Sequence, residues 1–130
     1  MKIPRHLFRS AFSLVEVLAA VAIIGIVTFL AIPSVVQVKQ DSEDNLARAR
    51  ANVLNMAIAS FVQAKGQTAA SNTWGSGGSN AYSNLTPYIA FPEANLGSFT
   101  PSGYTYTLPT TITPLTTKTT IVRGTNAISY

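Results

Sequence analysis

The chain has 130 residues, of which 47% are apolar and only 11% are charged, against roughly 25% charged residues in an ordinary soluble domain. This length favours one small domain with appendages over a multidomain enzyme. Because the chain has no cysteine, it has no disulfide, no thiolate nucleophile and no zinc site built on cysteine. Its single histidine, His6, excludes a Ser/His or multi-histidine site elsewhere in the chain.

A basic segment precedes a long apolar run near the N-terminus. Lys2, Arg5 and Arg9 supply three of the nine basic residues, and the 21 residues 12–32 contain one ionisable group, that of Glu16. As a helix rising about 1.5 Å per residue, this run is long enough to cross the roughly 30 Å hydrocarbon core of a bilayer. The positive-inside tendency keeps the basic segment in the cytoplasm. We therefore expect a single-pass protein with a cytoplasmic N-terminus.

The apolar run is predicted to continue into an amphipathic helix. Pro33 removes one backbone hydrogen bond and commonly kinks a helix whose pattern resumes beyond it, and Gly66 is a favoured helix end. We expect one long, bent helix over residues 12–65, with an i,i+4 pair between Asp44 and Arg48. Its apolar stripe recurs at helical spacings and consists of Leu46, Val53, Leu54, Ala57, Ile58, Phe61 and Val62.

The remaining residues, 67–130, are rich in Thr, Ser and Asn and carry three charges. Residues 71–83 lack periodicity, which predicts a loop. Residues 103–108 alternate Tyr and Leu with Thr, as a strand does, and residues 116–122 and 127–130 are further strand candidates. Because a small sheet needs a partner for its apolar face, we predict an α+β fold in which a small antiparallel sheet covers Leu54, Ile58 and Phe61 of the helix.

The segment SAFSLVEVL at residues 10–18 resembles the processing and methylation site of type IV pilins and type II secretion pseudopilins. In that family a basic leader ends in a small residue, usually Gly, and is cut before a Phe whose new amine is N-methylated. A Glu follows four residues after that Phe. The resemblance implies cleavage between Ala11 and Phe12, methylation of Phe12, and Glu16 as the family's acidic residue. Ala11 stands where the family usually has Gly.

The resemblance also implies a pilin-like layout for the whole chain. Gly25 and Pro33 fall where the family commonly has a Gly and a helix-kinking Pro. The expected parts are a leader peptide at 1–11, a transmembrane and assembly half of the helix at 12–33, an amphipathic half at 34–66, and a small Thr/Ser-rich β domain at 67–130.

Glu16 is expected to need a partner on physical grounds. A carboxylate inside a membrane span costs roughly 2.5 kcal/mol or more unless it is paired, and residues 12–38 contain no Lys or Arg. The amine that cleavage creates at Phe12 of a neighbouring chain would supply the missing cation. The alternative is a Glu16 that reaches the headgroups or is protonated near the interface.

These features predict a non-enzymatic structural subunit of a type IV pilus or a type II secretion pseudopilus, located in the inner membrane with a periplasmic C-terminal domain. Its expected partners are a prepilin peptidase, other pilin-like subunits and the assembly platform, without a cofactor. Loss of the leader lowers the net charge from +4 to +1, so nucleic-acid binding is not expected. The sequence does not distinguish a pilus subunit from a pseudopilus subunit, because it lacks both the acidic calcium loop of major pseudopilins and the C-terminal disulfide of many pilins.

Two other classes of protein are alternatives to a structural subunit. The first is a membrane-anchored binding module that does not polymerise. The second is a secreted protein with an ordinary signal peptide, which Glu16 and the lack of an A-x-A site disfavour.

Two groups of residues resemble binding sites but have simpler structural interpretations. Asp41, Glu43 and Asp44 are more typical of a solvated patch than of a metal site, because neighbouring acids on a helix point in different directions. The aromatic residues of the C-terminal part are more typical of a core than of a sugar-binding platform; they are Trp74, Tyr82, Tyr88, Phe91, Tyr104 and Tyr106.

Overall fold

The computed structural model describes residues 12–75 and 79–130, so Ala11 and the leader predicted at 1–11 lie outside the described residues. The chain divides into two compact units, Met1–Lys39 and Gln40–Tyr130. We call residues 12–39 the anchor segment and Gln40–Tyr130 the C-terminal domain. Helix α1, Leu14–Lys65, supplies most of the anchor segment and the first part of the C-terminal domain.

Helix α1 has 52 residues and passes through both Gly25 and Pro33. It begins two residues after the predicted start and ends at the predicted residue. Gly66 follows with a φ of 79°, a conformation that costs glycine little and other residues much. The bend expected at Pro33 stays a prediction.

Short helices occupy residues 71–74 and 79–83 of the loop that the sequence predicts over residues 71–83, so that prediction was wrong for these residues. Helix α2 spans Gln67–Trp74 and helix α3 spans Ser79–Leu85; a 3-10 turn, Thr86–Tyr88, and helix α4, Leu96–Phe99, follow. The apolar positions of α2 are Ala70 and Trp74, one helical turn apart, and both are buried. This single pair among polar residues is too short a pattern to be recognised as helical.

Three antiparallel strands form the sheet in the order β1-β2-β3. Strand β1 is Tyr104–Thr107, β2 is Thr120–Arg123 and β3 is Asn126–Ile128, and every boundary lies within one to four residues of the predicted one. Tyr104 and Tyr106 face the core and the intervening threonines are exposed, as the period-2 pattern predicts. The α+β class is therefore confirmed, with one long apolar N-terminal helix and a small sheet.

The core of the C-terminal domain is built on one side of α1. Leu54 and Ile58 are buried as predicted, whereas Leu46 and Val53 of the predicted stripe are 48% and 40% exposed. The buried side is formed by three small and three large residues: Ala47, Ala51, Leu54, Ala57, Ile58 and Phe61. The alanines allow close approach of the covering elements, a role that a search for large apolar residues overlooks.

Phe61 packs mainly against aromatic residues outside the sheet. Its ring centroid lies 5.8 Å from that of Trp74 in α2 and 5.9 Å from that of Tyr88 in the 3-10 turn. The Trp74 indole N–H donates to the Pro109 carbonyl at 2.8 Å. Phe61 belongs to the same buried cluster as Tyr106 and Ile121 of the sheet, but its aromatic neighbours lie outside the strands that were predicted to cover it.

Polar contacts tie the sheet to α1. The Tyr104 hydroxyl donates to Asp44 Oδ1 at 2.7 Å, and Arg123 Nη1 donates to the same oxygen at 2.8 Å. The Tyr106 hydroxyl donates to the Ala47 carbonyl at 2.7 Å, and burial raises the pKa of Tyr106 to about 12. The interpretations of Asp44 as a solvated acid and as the partner of Arg48 were wrong. Its side chain is only 17% exposed and is paired with Arg123, while Arg48 donates to Asn45.

Candidate assembly surface

The anchor segment exposes all of its apolar side chains. Phe12 is 82% exposed and Leu30 is 68% exposed. Among the described residues, α1 is the one helix long and apolar enough to cross a membrane, and none of the residues in its most apolar 18-residue window is buried. Apolar patches of this extent are rare on soluble monomers, so this surface is a candidate for burial in a bilayer or against other chains.

Most of the uncharged polar groups inside the anchor helix are satisfied locally. The Thr28 hydroxyl donates to the Ile24 carbonyl at 2.7 Å, and the Ser34 hydroxyl donates to the Ala31 carbonyl at 2.8 Å. Such bonds to the preceding turn are the usual way in which Ser and Thr are accommodated in an apolar helix.

Glu16 differs from these groups because its carboxylate makes no hydrogen bond or ion pair with any of residues 12–75 and 79–130. It lies in the first turn of α1, where the helix dipole stabilises a negative charge by about 0.3 to 1 kcal/mol. That is less than the roughly 2.5 kcal/mol that a carboxylate costs in a span. The first basic residue further along α1 is Lys39, about 35 Å away at 1.5 Å per residue.

Phe12 lies just before α1 and is exposed. It precedes Glu16 by four residues, close to one helical turn. The structure thus carries both predicted site residues at the N-terminal end of the anchor segment, while Gly25 and Pro33 lie further along α1. A Cβ added at Gly25 would meet no atom within 4 Å, so this glycine is not required by a close contact inside the chain.

A second exposed apolar stripe runs along α1 within the C-terminal domain, on a different side from the core. Leu46 and Val53 belong to it together with Met56, which is 70% exposed, and the exposed Ala49 lies between them. We call these four residues the outer stripe. Their spacings of three, four and three residues are those of helices that pack side by side. The sequence carries this signal, but the stripe predicted from it merged Leu46 and Val53 with the core side.

Five of the six aromatic residues weighed as a sugar platform belong to or pack on the core, as that interpretation favoured. Trp74, Tyr82, Tyr104 and Tyr106 are buried, and Tyr88 packs partly buried against them. Phe91 is the exception, because it is 95% exposed. A stacking surface for a sugar needs several rings side by side, and these rings do not form one.

The C-terminal domain offers shallow cavities. Four of them have volumes of about 280 to 390 Å³ and walls of hydroxyl and apolar side chains, with Lys118 in two of them. Within the part of the chain that the structure describes, no three His, Asp or Glu residues form a group that could hold a metal ion. Of the three acids near residue 40, Asp44 is bound to Arg123.

Comparisons with known proteins give no further guide to this surface. No family model matches the chain, no curated protein matches it, and no solved structure matches it.

Proposed function

We propose that this chain is a structural, pilin-like subunit of a type IV pilus or a type II secretion pseudopilus. It is stored in the inner membrane through the anchor segment, with the C-terminal domain in the periplasm. A prepilin peptidase removes residues 1–11, and the mature chain is polymerised by an assembly platform through its N-terminal helix. Both machines remain within the proposal, since each uses subunits of this layout.

The observation that carries the proposal is the carboxylate of Glu16, which has no partner among the described residues and lies in the anchor segment, whose apolar side chains are all exposed. A simple membrane anchor gains nothing from such a charge, because insertion becomes more favourable without it. A subunit that assembles does gain, since the carboxylate selects a neighbour that brings a cation. The charge therefore favours assembly over anchoring alone.

Cleavage before Phe12 supplies that cation. The new α-amine lies on the first residue of the mature chain, and Glu16 lies four residues behind it. A neighbouring subunit shifted along the membrane normal by about one helical turn, 5.4 Å, brings its amine level with this carboxylate. In a medium of low dielectric constant the attraction is strong, and separation of the pair is costly. Assembly thus neutralises two charges that the stored subunit carries separately.

Apolar packing supplies the rest of the interaction. Side chains of the anchor segment that lipid covers in the stored state would pack between helices in the fibre. Within the C-terminal domain the outer stripe adds a separate set of exposed apolar side chains, with Met56 among them. Burial of one large apolar side chain contributes roughly 1.5 to 3 kcal/mol when it leaves water, which applies to the outer stripe more than to the lipid-facing anchor.

The proposal is tested first on the N-terminus of protein purified from its native membrane. We expect mass spectrometry to find a chain that begins at Phe12 and carries one methyl group on its amine. Ala11→Gly should be processed at least as fast as the natural chain, and Ala11→Lys should block processing. Mature protein that retains Met1 would contradict the proposal.

Assembly is tested with Glu16→Ala in cells that lack the natural copy. We expect unchanged insertion and a loss of sheared or crosslinked multimer of about tenfold or more, which corresponds to about 1.4 kcal/mol or more of lost interaction. Ser34→Ala, a change at an exposed polar position of the anchor segment whose hydroxyl bonds within its own helix, serves as the matched control and should assemble normally. A monomeric natural chain would instead identify a membrane-anchored binding module.

A further inference from the structure

Phe91 has two unusual properties in one residue. Its side chain is 95% exposed, and its φ is 58°. Within residues 12–75 and 79–130 it is the only residue other than glycine with a positive φ. Bulky side chains rarely adopt this region, and residues held there concentrate at functional sites.

The segment that carries Phe91 is anchored on both sides. Ile89 is 5% exposed and belongs to the core. On the other side the Tyr82 hydroxyl accepts from the Glu93 amide at 3.2 Å and donates to the Glu93 carbonyl at 3.3 Å. Tyr82 itself is buried. The ring of Phe91 is therefore presented to its surroundings by a fixed backbone.

A cavity of about 320 Å³, which we call the Leu115 cavity, lies on the same domain. It is lined by Asn55, Ile58 and residues 115–118. Ile58 is buried beneath it, and Leu115 on its wall is 48% exposed. An apolar cavity of about 150 Å³ already accommodates a benzene ring. The ring of Phe91 does not fill this cavity in its own chain, because it is almost fully exposed.

The charges beside these two features are complementary. Residues 67–130 contain only three charged side chains, those of Glu93, Lys118 and Arg123. Glu93 lies two residues from Phe91 and its carboxylate has no hydrogen bond or ion pair with any described residue. Lys118 lines the cavity; its ammonium contacts the Tyr130 carbonyl and ring and keeps further donors free.

We propose that Phe91 of one subunit inserts into the Leu115 cavity of a second copy of this chain, with Glu93 placed near Lys118 of that copy. The inference rests on the proposed function, since it assigns a contact between the outer domains of the polymer. When each subunit gives its ring to one neighbour and its cavity to another, the contact is heterologous. Heterologous contacts build rings when the rotation closes and open helical fibres when it does not, and the proposed function requires the fibre.

Engineered cysteines test the contact on the full-length chain in its membrane, because the natural chain has none and the background is zero. Ala90 and Thr117 are exposed residues beside the ring and at the cavity. We expect Ala90→Cys combined with Thr117→Cys to give intermolecular disulfides in assembled material. Ala90→Cys combined with Asn72→Cys, at an exposed residue of α2 outside the outer stripe, is the matched control and should give none. Disulfides in the control pair alone would overturn the proposal.

Substitutions of Phe91 separate assembly from folding. Phe91→Gly removes the ring and relieves the backbone conformation, so we expect an equal or higher melting temperature together with about tenfold less multimer. Leu115→Trp should block the cavity and lower multimer equally. Glu93→Lys and Lys118→Glu should each weaken assembly, and the double exchange should restore it. Unchanged multimer in Phe91→Gly would overturn the proposal.

The same experiments distinguish this contact from the proposed function. If multimer depends on Glu16 but is unaffected by Phe91→Gly, the helix-based function stands and the contact is wrong. If the natural chain forms no multimer, the proposed function fails, and the contact fails with it.

Discussion

The anchor segment and the C-terminal domain place the same kinds of residue in opposite surroundings. Both are rich in apolar side chains, yet those of the anchor segment are exposed throughout, whereas the domain buries Leu54, Ile58 and Phe61 almost completely. One helix continues through both regions. The comparison teaches that helix formation is local, while the burial of each helix face depends on other parts of the structure. The sheet and short helices cover α1 in the C-terminal domain, and in the proposed function lipid or other subunits cover the anchor segment.

The two regions also differ in whether their acidic side chains have partners within the chain. In the C-terminal domain Asp44 receives hydrogen bonds from Tyr104 and Arg123, so the chain itself satisfies this acid. In the anchor segment Glu16 receives none from the described residues. An unpaired acid in a membrane span is costly, and the proposed function supplies its cation from a neighbouring chain.

The largest expected effect is the removal of residues 1–39. The fragment Gln40–Tyr130 retains the buried core, so we expect it to fold and to move completely from the membrane fraction to the soluble fraction, because the apolar surface that requires a bilayer is gone. Membrane fractionation and circular dichroism measure this. A fragment that stays unfolded would contradict the independence of the two regions.

The next effect concerns the core. Phe61→Ala in the fragment should lower the free energy of unfolding by about 3 to 5 kcal/mol, because it leaves a cavity between Trp74 and Tyr88. Met56→Ala, at an exposed position of the same helix, should change it by less than about 0.5 kcal/mol. Equal effects in chemical denaturation would show that the two sides of α1 have been assigned wrongly.

Asp44→Ala should have an intermediate effect. It leaves the Tyr104 hydroxyl and the Arg123 guanidinium without their acceptor, and we expect a loss of about 1 to 3 kcal/mol of unfolding free energy. Asp41→Ala, an exposed acid one turn earlier, should be nearly neutral. Denaturation of both variants at low and high salt makes the comparison, and similar values would contradict the assigned role of Asp44.

The smallest effect is at alkaline pH. The folded state raises the pKa of Tyr106 from 10.0 to about 12, so the protonated form is favoured in the folded chain. Its contribution to stability is complete below pH 10 and is lost as the pH rises towards 12. Melting temperatures of the natural fragment and of Tyr106→Phe should therefore converge between pH 10 and 12. A constant difference across that range would contradict the assignment.

Long periodic patterns in the sequence predicted the fold best. The apolar run and the helical stripe predicted α1 to its final residue, and the Tyr/Thr alternation predicted β1, because both patterns reflect local geometry. The short helices α2 and α3 were missed, since seven or eight mostly polar residues carry too few apolar positions. The partner of Asp44 was missed because contacts between distant residues have no signature in one sequence.

The candidate site divides in the same way. Phe12 and Glu16 can be identified from the sequence, Glu16 by its charge and both by the family resemblance. The helical spacing of Leu46, Val53 and Met56 indicates the outer stripe. The Leu115 cavity and the exposure of Phe91 depend on how the segments after α1 fold back on it. No local pattern encodes that arrangement.

The most direct measurement asks which groups lie within bonding distance across subunits. Mature chains labelled with nitrogen-14 and nitrogen-15 are co-assembled in membranes and treated with a membrane-permeant carbodiimide, which joins a carboxylate to a nearby amine. We expect mass spectrometry to find an amide between the Phe12 amine of one isotope and Glu16 of the other, and to find none with Glu16→Gln. Amides confined to chains of a single isotope, in material that forms normal multimers, would contradict the charge pair between neighbouring subunits.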